Sequence, residues 1–238
     1  DFAKLFDKLL VIFPFEKKYF EKYNLNTTYI GHPIYYINNY NNNIHKEYIA
    51  FLPGSREGEV LSLIKYFKVL ADYLDSISSN FKIFIPIPLH LKEILIYLTK
   101  DWKRKPLLET NQQKIEEIFS QTCLAIVCSG TASLEVTKRK IYQLVIYKMN
   151  LFTEILLKMF VYVKYANIIN IINNSEIIPE LLQSDCNAQN IYKHVESFIT
   201  NPEIGRAQVS NYQKILKKIK INISSAEKVS NILNESIN

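Results

Sequence analysis

The feature that most constrains this chain is a repeating order of short apolar runs, small-residue turns and longer stretches of helical period. This order predicts parallel strands joined by crossover helices, because parallel strands are covered on both faces and are apolar along their length. The predicted strands are Leu9–Phe13, Thr28–Ile30, Tyr48–Leu52, Lys82–Ile85, Leu124–Cys128 and Gln143–Tyr147. The predicted helices are Glu16–Tyr23, Glu59–Leu74, Leu89–Leu98, Gln112–Phe119 and Ala132–Lys138. The predicted fold class is therefore α/β, a Rossmann-like parallel sheet with helices on both faces.

The pattern changes twice along the chain. An Asn-rich stretch at 38–43 lacks apolar periodicity, which is typical of an exposed linker. After Asn187 only helical patterns remain, which predicts a C-terminal helical tail. We therefore predict a short N-terminal remnant at 1–37, the Rossmann-like domain at 38–186 and the tail at 187–238. Asp1, in place of Met, indicates a start inside a longer polypeptide, and no signal peptide is expected.

Composition excludes several classes of protein. Hydrophobic residues at 48% and charged residues at 22% exclude wholesale disorder. No apolar run reaches the roughly 18 residues that a membrane span needs. Three cysteines without a CxxC pair predict neither disulfides nor zinc and fit a reducing cytosol. The net charge of +6 would attract phosphates, nucleic acid or an anionic membrane, and a basic nucleic-acid-binding module is one alternative function. Its lysines, however, are dispersed and no RNP-like motif occurs.

Two strand-to-helix turns are candidate binding sites. The first, Phe51–Glu59, places Arg56 at a strand end, where ligands of open parallel sheets bind. Arg56 is either a fork-like donor to a diphosphate or a loop cation paired with Glu57 or Glu59. The second turn is Ile126–Glu135.

The Ile126–Glu135 turn joins a strand to a helix through small residues. Free N–H groups at the helix start and the helix dipole suit phosphate oxygens, and Gly130 lets a ligand approach the backbone. Glu135, one turn into the helix, is placed to accept hydrogen bonds from ribose hydroxyls. The alternative is that Thr131 is an ordinary N-cap and Glu135 a surface charge.

The sequence gives little indication of other catalytic motifs or of a metal site. The GxSxG, Walker A and GxGxxG patterns are absent, so a serine hydrolase, a P-loop NTPase and a nicotinamide dehydrogenase are not indicated. His32 is interpreted as a loop histidine that packs at a domain junction. The other histidines lack acidic or cysteine neighbours at ligand spacing, and no DxD pattern occurs. No metal site and no cofactor are predicted.

Five motifs carry a resemblance that runs from about residue 8 to 220. They are Phe13–Glu16, Tyr29–Pro33, Leu52–Arg56 with Glu59 and Val60, Ser129–Glu135, and Glu180–Gln183. In order and spacing they resemble the lipid A disaccharide synthase family of inverting glycosyltransferases, which have two-domain GT-B architecture. The resemblance corresponds to the C-terminal half or more, and implies that 38–186 is the nucleotide-sugar donor domain.

The resemblance implies transfer of 2,3-diacylglucosamine from its UDP donor to the 6-hydroxyl of 2,3-diacylglucosamine 1-phosphate in lipid A biosynthesis. Other UDP-sugar enzymes of this architecture, such as an epimerase or an N-acetylglucosaminyl transferase, are the alternative. The residues carried over to the donor site are Ser55, Arg56, Ser129, Gly130, Thr131, Glu135, Asn170 and Glu176. Ser55, Arg56 and 129–131 would hold the diphosphate, and Glu135 the ribose. Asn170 and Glu176 would line the donor crevice.

The implied partners follow from the same resemblance. The general base is expected in the absent N-terminal half, so this chain alone is expected to be inactive, and its catalytic residues are unknown. The implied location is cytoplasmic and peripheral to the inner membrane, with a homodimer as one arrangement. An apolar stripe at Leu151–Val163 indicates either a membrane or subunit contact or a buried helix.

The chain departs from the family pattern at three places. Ile169 stands where the family has Pro, Lys148–Leu151 replaces a basic-Met-Lys/Pro stretch, and Tyr35–Asn38 follows Pro33 where an Asp is typical. These differences concern the detailed geometry of the donor site.

Overall fold

The computed structural model describes residues 2–36, 46–128, 130–148 and 164–237. The chain divides into two compact units, one formed by 1–39 with 212–238 and the other by 40–211. The predicted linker at 38–43 and the apolar stretch Leu151–Val163 lie outside the described residues. The predicted division at 37 and 186 stays a prediction.

Eight strands and nine helices are found in the described residues. The strands are β1 (Leu9–Val11), β2 (Thr27–Tyr29), β3 (Tyr48–Leu52), β4 (Lys82–Pro86), β5 (Leu107–Glu109), β6 (Thr122–Cys128), β7 (Tyr142–Tyr147) and β8 (Glu180–Leu182). The helices are α1 (Lys17–Glu21), α2 (Glu57–Ser76), α3 (Lys92–Thr99), α4 (Gln112–Ser120), α5 (Thr131–Lys138), α6 (Ile168–Asn173), α7 (Ala188–Thr200), α8 (Glu203–Lys218) and α9 (Ser225–Ile237). Short 3₁₀ turns cover Phe2–Leu5, Pro33–Tyr36, Leu89–Leu91 and Gln183–Asp185.

The larger unit is built on a six-stranded sheet in which every pairing is parallel, with the order β5-β4-β3-β6-β7-β8. The chain runs outward from β3 to β5 and then returns to the other side of β3 as β6. This is the doubly wound Rossmann order, and the direction of winding reverses between β3 and β6. The predicted α/β fold class is confirmed, and so is the helical character of the chain after Asn187.

Helix α2 packs one apolar face against the sheet. Val60, Phe67, Leu70 and Leu74 recur at helical spacing and are buried. Phe67 stacks on Phe51 of β3, with ring centroids 4.7 Å apart. Burying one such aromatic side chain stabilises the fold by about 1.5–3 kcal/mol. Leu63 completes the buried face of the helix, whereas Ile64 is only partly buried.

The smaller unit pairs β1 with β2 in parallel. Its C-terminal part contacts its N-terminal part, since the Tyr29 hydroxyl donates to the Ile219 carbonyl at 2.7 Å and Ser225 Oγ donates to the Gly31 carbonyl at 3.0 Å. Gly31 has φ +77°, and a Cβ there would lie 2.7 Å from Ile221 Cγ1. A larger residue would therefore be both strained and crowded.

His32 is a packing residue of this unit. Its ring stacks on Phe13 at 5.0 Å, and its Nδ1 accepts a hydrogen bond from the Ile34 N–H at 3.1 Å. Burial lowers the pKa of His32, which favours the neutral imidazole that this bond requires. The observed contacts fit the interpretation of His32 as a loop histidine.

Within the described parts of the chain, no helix combines the length and the apolar character needed to cross a membrane.

Candidate functional site

An open cleft of about 610 Å³ lies at the carboxyl ends of β3, β4 and β6. It spans the point where the winding direction of the sheet reverses, which is where open α/β sheets bind ligands. Five of the eight residues predicted for the donor site line this cleft. They are Ser55, Arg56, Gly130, Thr131 and Glu135.

The turn between β3 and α2 forms one wall. Glu59, in the first turn of α2, accepts hydrogen bonds from the backbone N–H groups of Ser55 at 3.2 Å and Arg56 at 3.4 Å. Gly54 has φ +104°, and a Cβ at this position would overlap the Glu59 carboxylate. The Gly54–Glu59 turn is thus closed by its own carboxylate, and only Gly fits its corner.

The Arg56 guanidinium projects from this turn. Its Nη1 lies 3.2 Å from Glu59 Oε1, yet the side chain is 83% exposed. An ion pair this exposed contributes little to stability, so a ligand phosphate can compete for the guanidinium at low cost. Arg56 thus forms the ion pair with Glu59 that the sequence suggested as one alternative, and this pair is compatible with the other alternative, binding of a diphosphate.

The opposite wall is the start of α5. Gly130 has φ +126° and ψ −152°, a conformation that is essentially restricted to glycine, and no side chain in the described part of the chain caps the helix. A Cβ at Gly130 would meet nothing within 4 Å, so the backbone here is open to the cleft. Glu59 occupies the N–H groups of Ser55 and Arg56 just before α2, whereas among the described residues no side chain accepts from the first N–H groups of α5. Ser129, which precedes Gly130, lies outside the described residues.

Glu135 lies one turn further along α5. Its carboxylate is half exposed and lies 3.5 Å from Nη1 of Arg139. Arg139 is only 4% exposed, it contacts Glu116 of α4, and its guanidinium lies 4.6 Å over the ring of Phe119. Arg139 also lines the cleft, so a second guanidinium is present there. Sequence reasoning missed it, because Lys138-Arg139-Lys140 looks like the solvated basic end of a helix.

A third wall follows β5. The Glu109 carboxylate accepts the N–H groups of Asn111 and Thr110, each at 2.9 Å. These two hydrogen bonds lower the pKa of Glu109 and keep its carboxylate ionised, and the bond from Asn111 has the larger effect. The loop is thereby fixed with Thr110 facing the cleft.

Buried polar contacts hold α5 against the sheet. Ser133 Oγ donates to Gln143 Oε1 of β7 at 2.7 Å, and the Gln143 amide donates to Thr137 Oγ1 at 2.9 Å. Asn167 Nδ2 in turn donates to Ser133 Oγ at 2.7 Å. Ser133 belongs to the 129–135 motif, and its role in the structure is to fix the helix whose start faces the cleft.

The structure does not bring Asn170 and Glu176 to the cleft. Asn170 is fully buried in α6, where its Oδ1 accepts the N–H groups of Ile177 and Ile178, and its Nδ2 donates to the Ile178 carbonyl and to Glu180. Glu176 is exposed beyond the end of α6. The Asn170 amide is thus engaged by its own neighbours, and a donor contact for either residue stays a prediction.

Known proteins resemble this chain over nearly its whole length. A family model described as lipid-A-disaccharide synthetase matches residues 1–233. The chain belongs to this family. The lipid-A-disaccharide synthase of Rickettsia canadensis (strain McKiel) is 31% identical over 237 residues, covering 92% of this chain and 59% of that protein. That of Rickettsia conorii (strain ATCC VR-613 / Malish 7) is 30% identical over 230 residues, covering 92% and 51%. The chain spans between half and three-fifths of these relatives.

Solved structures agree on the fold. A UDP-GlcNAc 2-epimerase from Neisseria meningitidis bound to UDP-GlcNAc has a TM-score of 0.61 at 12% identity, over 98% of this chain and 62% of that one. WaaG, a glycosyltransferase involved in lipopolysaccharide biosynthesis, has a TM-score of 0.56 at 12% identity, over 94% and 62%. At this identity the likeness concerns the fold alone, which is that of GT-B glycosyltransferases.

Proposed function

We propose that this chain forms the donor-binding part of a metal-independent hexosyltransferase of lipid A biosynthesis. The reaction is transfer of 2,3-diacylglucosamine from its UDP donor to the 6-hydroxyl of 2,3-diacylglucosamine 1-phosphate, with release of UDP. The observation that carries the proposal is that the Arg56 turn and the Gly130–Glu135 segment line one cleft at the reversal point of the sheet. Membership of the lipid-A-disaccharide synthetase family supports it.

The diphosphate would lie between the two turns. The start of α5, which no described side chain caps, offers backbone N–H groups and the positive end of the helix dipole, and Arg56 adds an exposed guanidinium from the other wall. Both would stabilise the negative charge that develops on the leaving UDP as the glycosidic bond breaks. Positive groups of the chain itself would thus take the part that a metal ion plays in other transferases.

The nucleoside would extend along α5 and the third wall. Glu135 would accept hydrogen bonds from the ribose hydroxyls, since a carboxylate is an acceptor of two such bonds. The uracil ring would pack near Ile87, Ile115 and Phe119, which give this part of the cleft an apolar surface.

The remaining parts of the reaction require partners. In this proposal the N-terminal half of the enzyme supplies the acceptor site and the general base, so the chain alone has no transferase activity. The enzyme acts in the cytoplasm at the surface of the inner membrane, where its acylated substrates reside, and a homodimer is one assembly that fits.

Calorimetry with UDP tests the proposal. Wild type should bind UDP, and Arg56→Ala should bind it about 10- to 100-fold more weakly, because a hydrogen bond to a charged group contributes about 1.5–3 kcal/mol. Arg206→Ala is the matched control, since Arg206 is also an exposed arginine paired with a glutamate three residues away. Equal affinity of all three proteins, or no binding by wild type, would contradict the assignment of the cleft.

A further inference from the structure

A second cavity of about 520 Å³ opens at the amino ends of the strands of the same sheet. Thr122 and Tyr142, which line it, are the first residues of β6 and β7, and Lys46 precedes β3. The donor cleft lies at the carboxyl ends of these strands, so the full length of the sheet separates the two openings. The volume is in the range of about 300–1,000 Å³ that is usual for small-ligand sites.

The walls of this cavity are mostly apolar and aromatic. Tyr142 and Phe198 stack with ring centroids 4.7 Å apart, and Phe81, Ile199 and Val209 continue the surface. Gly205 of α8 brings the helix close, since a Cβ there would lie 2.7 Å from Phe198 Cε2. Such a surface is suited to an alkyl chain, because water gains few hydrogen bonds from it.

The cationic side chains that line the cavity do not fit a purely apolar ligand. The half-buried Lys46 ammonium donates to the Ser120 carbonyl at 2.7 Å, and in the described part of the chain it forms no ion pair with a carboxylate. Burial lowers the pKa of Lys46, which reflects the cost of holding this charge out of water. The thiol beside it, Cys123, has its pKa raised to about 12 by burial and stays neutral, so it supplies no counter-charge. Lys140 adds an exposed positive charge at the rim.

We propose that this cavity binds a single-chain amphiphile with an anionic head, such as a fatty carboxylate or an alkyl phosphate. The alkyl chain lies against Tyr142, Phe198 and Val209, and the head pairs with Lys46. A neutral hydrocarbon would leave the Lys46 ammonium without a counter-charge, and a small anion would leave the partly exposed side chains of Phe81, Ile199 and Val209 in contact with water. Only a ligand with both parts satisfies both. The site is independent of the proposed donor function.

Calorimetry separates the two parts of the ligand. Decanoate and decyl phosphate, below their micelle concentrations, carry chain and charge; acetate carries only charge, and decanol only chain. We expect at least one of the first two to bind about tenfold or more tightly than either acetate or decanol. The tighter of the two identifies the head group. Binding by neither, or equal binding of decanol, overturns the proposal.

Variants locate the binding. Lys46→Met keeps the length of the side chain and should weaken binding of the anionic amphiphile about tenfold, whereas Lys68→Met, which removes a surface lysine paired with Asp72, should leave it unchanged. Val209→Trp should fill the cavity and abolish binding; if this variant fails to fold, Lys46→Met decides alone. Saturating UDP should not displace the amphiphile. Equal binding by wild type and Lys46→Met, or displacement by UDP, overturns the proposal.

Discussion

The Arg139 guanidinium donates to both carboxylate oxygens of Glu116, with Nε at 3.2 Å and Nη2 at 2.5 Å. This pair joins the end of α5 to α4 and therefore connects two walls of the cleft. Because Arg139 is 4% exposed and Glu116 27%, the charges are largely removed from water. Each group is tolerated there because the other is present.

Removal of one partner should therefore be costly. Glu116→Leu removes the carboxylate that pairs with the buried guanidinium through two hydrogen bonds, and should lower the free energy of unfolding by about 3 kcal/mol. The double variant Glu116→Leu/Arg139→Met replaces both charges by apolar groups and should recover most of the loss. Urea unfolding followed by circular dichroism measures both. A double variant less stable than Glu116→Leu would contradict this account.

Two glycines near the cleft should respond in opposite ways to alanine. Gly130→Ala places a side chain at φ +126° and should lower the free energy of unfolding by about 1–3 kcal/mol, although the space around it is open. Gly58 lies in α2, and a Cβ added there would meet nothing within 4 Å. Gly58→Ala should therefore raise the free energy of unfolding by up to about 1 kcal/mol. Thermal unfolding of both variants checks the signs. If both lowered stability equally, the backbone at Gly130 would not be the cause.

The central sheet could be predicted from the sequence because its strands are continuous apolar runs. β3 has the predicted bounds, and β4, β6 and β7 differ from theirs by one or two residues at an end. β5 and β8 were missed. Each has three residues and contains a glutamate, Glu109 or Glu180, so neither differs from a loop in composition. Their place in the sheet depends on pairing with β4 and β7, which is not local.

The turns of the site could be predicted for a similar reason: small residues between a strand and a helix are a local signal. The place of Arg139 in the cleft could not be predicted, because its partner Glu116 lies 23 residues earlier and on another helix. Asn170 is a different case. The family resemblance assigns it to the donor crevice, which stays a prediction, and the structure shows its amide oxygen accepting the backbone N–H groups of Ile177 and Ile178. A buried Asn and a ligand-binding Asn look the same in one sequence.

Stability should fall as the solution becomes acidic through the histidine range. Burial lowers the pKa of His32 below its ordinary value of 6.5, and burial is also the main cause that lowers the pKa of His194. The unfolded chain therefore binds protons first, so the free energy of unfolding is fully retained above about pH 6.5 and falls as the pH drops towards the folded-state values. Urea titrations between pH 7.5 and 5 measure this. His32→Gln and His194→Gln should each reduce the slope; an unchanged slope in both variants would contradict the assignment.

Glu135 should determine how well the cleft distinguishes ribose from deoxyribose. If its carboxylate accepts a hydrogen bond from the 2′-hydroxyl, wild type should bind UDP about tenfold more tightly than 2′-deoxy-UDP. Glu135→Gln keeps the shape but removes the charge, and should bind the two nucleotides nearly equally. Glu57→Gln is the matched control, an exposed carboxylate in the first turn of α2, and should keep the wild-type ratio. Calorimetry gives the four affinities for these two variants. Because Glu135 also contacts Arg139, thermal unfolding is measured alongside, and a Glu135→Gln variant that retains both its stability and the wild-type ratio would rule out the ribose contact.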